Sequence, residues 1–420
     1  MFHIIGKGFQ SMRQIISGNR NAFVPPPFRP DGGPARIALY SHDTLGFGHW
    51  RRNLLLAAAL RRLDPAPQVL MIAGMHEAGA FALPEGVDTL TLPAYGKDAS
   101  GLYRARSLGL ALSELAALRA ASIRAALAAY DPDLLIVDNV PRGAQGELDG
   151  ALAALRARGR ARIVLGLRDV IDTPDTVRGQ WLRQRNFPAL RRWFDEVWIY
   201  GDPRFYDLVA EYGFGAEFAA KARFMGYLDQ CERVALAPTA PQAAPYILCT
   251  VGGGRDGARI CEIFAQAALP PGHRGILIAG SQMPGPDRAR LRARIAARSD
   301  MEMLDFTPEP LPLIAGAARV VAMGGYNTVT ELLSLGVPAL ILPRTRPRRE
   351  QILRAERLAA RHLVGMIDPD HLTPENLSAW LAGPPPRAEH ARRVLDMSGL
   401  DAVRARAAAL LHPDLRRICA

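Results

Sequence analysis

A chain of 420 residues exceeds the size at which one hydrophobic core keeps growing, so two domains of about 150 to 200 residues are the expectation. With 49% hydrophobic and 22% charged residues the composition is that of a globular protein, not a disordered or fibrous one, and apolar runs such as Leu54 to Leu60 are too short to cross a bilayer. The net charge of +11, from 52 Lys and Arg against 41 Asp and Glu, implies an anionic partner, a nucleotide diphosphate or a phospholipid surface; nucleic acid is set aside because no recognition motif accompanies the charge.

Residues 1–33 read as a basic extension, with Lys7, Arg13, Arg20 and Arg29 leading through Val24-Pro25-Pro26-Pro27-Phe28. A disordered leader is expected there, with an interfacial helix around Met12 to Ile16 as the alternative. It lacks the apolar core and cleavage site of a secretory signal, and Cys231, Cys249, Cys261 and Cys419 show neither CxxC spacing nor a disulfide framework. A cytoplasmic protein without structural zinc is the expectation.

Short apolar runs then alternate with alanine-rich amphipathic segments, the pattern of a parallel sheet wrapped by helices. In the first half, 34–227, strands are expected at Arg36–Ser41, Gln68–Ala73, Asp133–Val137, Arg162–Leu167, Glu196–Tyr200 and near Arg223–Gly226, with helices at Arg51–Leu63 and Leu110–Tyr130. The alanine- and proline-rich stretch 228–245 reads as a linker. The second half, 246–383, repeats the alternation with strands at Tyr246–Val251, Gly275–Ala279, Met301–Phe306, Arg319–Ala322, Pro338–Leu342 and Val364–Ile367. After Pro384-Pro385-Pro386, residues 384–420 read as helical, the last helix crossing back onto the first domain. The fold class is α/β, with two Rossmann-like doubly wound domains facing a cleft.

In an open α/β sheet ligands bind beyond the carboxyl ends of the strands, where loops enter helices. Three glycine loops occupy such places. The first runs from Ser41 to Asn53 and contains His42, Asp43, Gly46, Gly48 and His49. Its glycines admit close approach by a ligand, and His49, with an ordinary pKa near 6.5, suits a general base; Asp43 is the competing candidate, and a glycine turn with a packed histidine is the bland alternative. The second, Gly252-Gly253-Gly254-Arg255-Asp256-Gly257, offers backbone amides to a phosphate or a hydroxyl.

The third, Gly324-Gly325-Tyr326-Asn327-Thr328-Val329-Thr330-Glu331, is the most specific. Its glycines would bring a diphosphate to a helix N-terminus, where free amides from Asn327 and Thr328 and the helix dipole meet its charge, and Glu331 would accept hydrogen bonds from ribose. Thr328 and Glu331 also fit a capping box with no ligand. Arg344 is a candidate for phosphate neutralisation and Glu350 with Gln351 for sugar hydroxyls, against a solvated loop.

The glycine-histidine loop, Gly252-Gly253-Gly254 and the segment Gly324 to Glu331 followed by Gly336-Val337-Pro338 resemble GT-B glycosyltransferases related to the MurG-type peptidoglycan N-acetylglucosaminyltransferase, from about Ile37 to about Leu363. The resemblance implies a UDP-sugar donor, UDP-N-acetylglucosamine among the candidates, held by the second domain, with a cell-envelope, lipid-linked, polysaccharide or small-molecule acceptor on the first. It also implies inversion at the anomeric carbon, no metal or other cofactor, and peripheral association with the inner face of the cell membrane. Carried over, Glu331 binds ribose, and Glu350-Gln351 corresponds to the polar pair near the donor sugar. The first loop has fewer glycines than the peptidoglycan enzyme and Arg346 to Arg349 is unusually basic, so another acceptor is implied. Gly46-x-Gly48-His49-x-x-Arg52 also resembles UDP-sugar hydrolases of pseudaminic acid synthesis, so a UDP-sugar hydrolase or epimerase of the same fold is the enzymatic alternative; a non-catalytic nucleotide-sugar-binding protein is the other. Acceptor contacts are expected from His42, Gly46, Gly48, Asp138-Asn139 and Arg168-Asp169, while Asp131-Pro132-Asp133 precedes a strand and reads as a turn.

Overall fold

The computed structural model describes residues 32–42, 47–75, 81–97, 103–234 and 244–412. Ala35–Ala420 forms one compact unit, separate from Met1–Pro34. The extension and the Met12 to Ile16 alternative lie outside the described residues.

Two parallel sheets organise the compact unit. The first has seven strands in the order β3-β2-β1-β6-β7-β8-β9: β1 (Arg36–Ser41), β2 (Gln68–Ala73), β3 (Val87–Thr91), β6 (Leu134–Asp138), β7 (Arg162–Arg168), β8 (Glu196–Tyr200) and β9 (Ala222–Phe224). A hairpin of β4 (Tyr95–Lys97) and β5 (Tyr103–Ala105) lies outside this order. The second has six strands in the order β12-β11-β10-β13-β14-β15: β10 (Tyr246–Thr250), β11 (Arg274–Ile278), β12 (Met301–Leu304), β13 (Arg319–Ala322), β14 (Ala339–Ile341) and β15 (Gly365–Met366). Every residue of β6, β8 and β10 is buried, as strands covered by helices on both faces must be.

Topology sets where ligands can enter. β1 pairs with β2 on one side and β6 on the other, and β10 likewise lies between β11 and β13. Strand order reverses at those points, which opens a crevice beyond the strand ends. Into the first crevice runs helix α1 (Gly48–Leu60), and into the second helix α2 (Tyr326–Leu335). Neither N-terminus has a side-chain cap or an acid in its first turn. Their leading amides are left for something else.

Buried charge fastens the two halves. Asp169, after β7, accepts from Arg354 of helix α3 (Glu350–Ala359) at 2.7 Å and from the Tyr227 hydroxyl at 2.9 Å. Arg354 also donates to the Gly324 carbonyl at 2.9 Å. The last helix, α4 (Gly399–Leu411), packs against α1 and β6, and its Arg406 donates to Glu196 of β8 at 2.8 Å. No helix among the described residues is long and apolar enough to cross a membrane.

Candidate active site

α1 begins at Gly48, three residues before the expected start, which puts His49 in its first turn and Arg52 one turn on, on the same face. β6 ends beside it with Asp138. One Asp138 oxygen is hydrogen-bonded to His49 Nδ1, while Arg52 Nη2 reaches the two oxygens at 2.6 and 2.8 Å. Burial alone would raise the Asp138 pKa, but Arg52 and then His49 hold it well below the usual carboxylate range. Asp138 is therefore an anion at neutral pH. It takes Nδ1 and leaves Nε2 as the basic nitrogen of a ring only 19% exposed.

The second half faces this dyad across a cleft of about 1380 Å³, solvent included. Gly252, Gly253, Gly254, Gly325, Tyr326, Asn327, Thr328, Glu331, Arg344 and Gln351 line it from the second half, and Gly48, His49, Arg52 and Arg168 from the first. The loop after β10 is tightly built: a Cβ on Gly254, at φ +89°, would lie 2.1 Å from the Ala279 carbonyl oxygen, so only glycine fits. At the start of α2, Asn327 donates its side-chain amide to the Gly48 carbonyl at 2.5 Å.

Several expected residues are placed otherwise. The capping box between Thr328 and Glu331 does not form, because α2 starts at Tyr326 with Gly325 as N-cap. Glu331 instead accepts from Arg233 at 3.0 Å, and Arg233 also grips Glu309 at 2.7 and 2.8 Å. Glu350 is buried, holds Arg344 at 2.7 Å and is not among the cleft-lining residues; Gln351 lines the cleft and accepts from the Arg344 amide at 3.0 Å. Gly324 is also absent from the lining, since it is packed against Gln351 and Ile341.

The acceptor candidates divide in the same way. Asp138 and Asp169 are buried, bonded to Arg52 and Arg354, and are not among the cleft-lining residues. Asn139 adopts a left-handed turn at φ 67° and does not line the cleft. Arg168 does line it. The His42 ring centroid lies 5.0 Å from that of His49, and His42 is not among the cleft-lining residues. Asp43 and Gly46 lie outside the described residues.

Arg52, Arg233 and Arg354 were not among the expected site residues. For Arg52 the signal was present: three residues after His49 in a helix is the spacing that shares a face. Arg233 and Arg354 carry no local signal, since each partner is distant in sequence.

The glycosyltransferase family 28 C-terminal domain matches residues 278–383. A UDP-N-acetylglucosamine--N-acetylmuramyl-(pentapeptide) pyrophosphoryl-undecaprenol N-acetylglucosamine transferase from Granulibacter bethesdensis is 32% identical over 174 residues, 39% of this chain and 45% of that protein. An uncharacterized glycosyltransferase from Methanosarcina acetivorans is 31% identical over 104 residues, 24% of this chain and 26% of that protein. The chain thus spans less than half the length of either relative. Among solved structures, a calicheamicin glycosyltransferase superposes with a TM-score of 0.58 at 16% identity, covering 92% of this chain and all of the other (100%). A Listeria monocytogenes protein assigned as a UDP-N-acetylglucosamine 2-epimerase gives 0.60 at 13% identity, covering 90% and 96%. At these identities the likeness is one of fold. The chain has the GT-B fold, is similar over part of its length to MurG-type glycosyltransferases, and matches the family 28 C-terminal domain over residues 278–383.

Proposed function

We propose that this chain is an inverting glycosyltransferase that moves a sugar from a UDP-sugar to an acceptor hydroxyl. The observation that carries the reading is a single cleft with the His49–Asp138 dyad on one side and an uncapped helix start beside Gly252–Gly254 on the other. In this reading the base serves attack from one side of the cleft and the anion site serves departure on the other.

In this reading the diphosphate lies at the start of α2, where the amides of Asn327 and Thr328, the helix dipole and Arg344 take up charge as the leaving group departs. That charge is met by protein groups, so no metal is needed. Glu331 accepts from ribose. His49 Nε2 takes the proton of the acceptor hydroxyl as its oxygen bonds the anomeric carbon, the bond from that carbon to the diphosphate oxygen breaks, and UDP leaves. Asp138 holds the tautomer and stabilises the imidazolium, as a buried carboxylate does in serine hydrolases. UDP-N-acetylglucosamine is the first donor to test, given the names of the sequence relatives. A cell-envelope or lipid-linked acceptor at the inner membrane face is the setting that follows, with the basic charge of the chain favouring an anionic surface.

Hydrolysis, with water in place of the acceptor, is the second reading, favoured by the same dyad and by the Gly48-His49-x-x-Arg52 spacing. A coupled UDP-release assay over a donor panel, with and without lipid extract, separates them. Transfer predicts release that depends on the extract. Rapid release without it would sink the transferase reading, and UDP binding without release from any donor would favour a non-catalytic binding protein.

A further inference from the structure

Several arginines at and around this cleft are paired with acids. Arg52 is paired with Asp138, Arg354 with Asp169, Arg344 with Glu350, and Arg233 with Glu309 and Glu331. Arg51 and Arg168 line the cleft with no ion pair among the described residues: Arg51 donates to the Pro308 carbonyl at 2.7 Å, and Arg168 makes no hydrogen bond there. Arg168 ends β7 and lines the cleft with His49 and Gln351, yet its Nε is shut from solvent with no hydrogen-bond partner, and no acid among the described residues is within ion-pair reach of it. Glu350, the acid that acts most strongly on it, gives its Oε1 to Arg344. Burial, and then Arg52, Arg354 and Arg348, push the Arg168 pKa down to about 10 against the opposing pull of Glu350, so the side chain is still a cation at neutral pH.

A guanidinium held partly out of water with no hydrogen-bonded counter-ion carries a desolvation cost that a bound anion offsets. Its planar fork of N–H groups matches a carboxylate or a phosphate through paired hydrogen bonds. Position narrows the ligand further. β7 pairs with β6 so that Gly166 lies opposite Asp138, which puts Arg168 on the first half, on the strand next to the one that ends in Asp138.

We propose that Arg168 binds an anionic substituent, a carboxylate or a phosphate, carried by the transferred sugar or by the acceptor beside its reacting hydroxyl, and separate from the donor diphosphate. The assignment rests on the nucleotide-sugar reading given above. It adds a class to the substrate: one reacting partner is acidic close to the bond being made.

Calorimetry on the full chain, native and Arg168→Gln, tests it with UDP, UDP-glucose and UDP-glucuronate, and with inorganic phosphate added with and without saturating UDP. If the substituent is on the donor sugar, the native protein prefers UDP-glucuronate to UDP-glucose by about tenfold or more; if it is on the acceptor, phosphate binds alongside UDP. In either case Arg168→Gln removes the response and keeps UDP affinity within about twofold. A tenfold or so loss of UDP affinity in the variant would make Arg168 the diphosphate counter-ion and overturn the proposal, as would the lack of both anion responses in the native protein. Should UDP fail to bind while phosphate binding without nucleotide still depends on Arg168, the nucleotide reading falls and the anion site stands. The ligand-free variant is expected to melt at or above the native temperature, because it loses a partly buried cation with no hydrogen-bonded counter-ion. A lower melting temperature would identify a structural arginine and sink the assignment.

Discussion

Asn327 donates its side-chain amide to the Gly48 carbonyl at 2.5 Å, and Arg52, which holds Asp138, reaches the Asn327 oxygen at 3.4 Å. The helix that presents the proposed base is thereby hydrogen-bonded to the helix start proposed to receive the diphosphate. Proton removal and leaving-group departure would be set in register by one amide side chain.

The dyad is the first thing to break. His49→Ala is expected to lower kcat by about 10² to 10⁴ with UDP affinity unchanged, because the ring acts on the acceptor proton. Asp138→Asn should lower kcat as well and displace the acid limb of the pH–rate profile, since the carboxylate acts through the imidazole. Steady-state UDP release from pH 5 to 9 for both variants checks this, and full turnover in His49→Ala would remove the base assignment.

Much of the frame was legible in the sequence. β1, β2, β8 and β13 match their expected bounds, because each is an apolar run closed off by turn formers. All three glycine loops fall at helix entrances. What was hidden depends on which strands become neighbours. Asp138 was taken for an acceptor contact because it ends a strand; its pairing with His49, 89 residues away, follows only once β6 lies beside β1. Gly48 concealed the true start of α1, since a helix is not expected to open on glycine. Arg233 lay in the segment read as linker, so its grip on Glu331 had no signal. β3 and the β4–β5 hairpin were missed for want of clear alternation.

Arg233 should matter to ribose without touching it. It holds one Glu331 oxygen, which leaves the other to accept from the ribose hydroxyls. Arg233→Gln is expected to weaken UDP binding by about tenfold while changing 2′-deoxy-UDP binding much less, as Glu331 loses its orientation. Calorimetry with the two nucleotides decides; equal losses for both would make Arg233 a stability residue only.

Acid should loosen the dyad. The folded-state pKa of Asp138 is depressed below its ordinary value near 4, so its contribution to stability is fully present above that value and is lost as pH falls below it. Urea unfolding at a series of pH values from about 3 to 7 should show a shallower acid slope in Asp138→Asn than in the native chain. At neutral pH the same substitution should cost about 3 to 5 kcal/mol, because it leaves Arg52 buried and unpaired. An unchanged acid slope would mean that other carboxylates carry the effect.

Asn327→Ala separates alignment from binding. The substitution frees the Gly48 carbonyl and removes the acceptor of the Arg52 contact, but the backbone amides at the start of α2 are retained and Asp138 still holds Arg52 by the bonds at 2.6 and 2.8 Å. UDP affinity is therefore expected to stay within about threefold, whereas kcat falls by about tenfold or more as His49 loses its fixed distance to the anomeric carbon. Asn327→Asp is the sharper variant. It cannot donate to the Gly48 carbonyl, yet it strengthens the Arg52 contact and places a negative charge at the helix start where the diphosphate should lie. That charge repels a phosphate, so UDP binding is expected to fall at least as far as turnover does. If Asp at this position left UDP affinity intact, the diphosphate would have to lie elsewhere in the cleft, and the start of α2 would be a joint between the halves rather than an anion site.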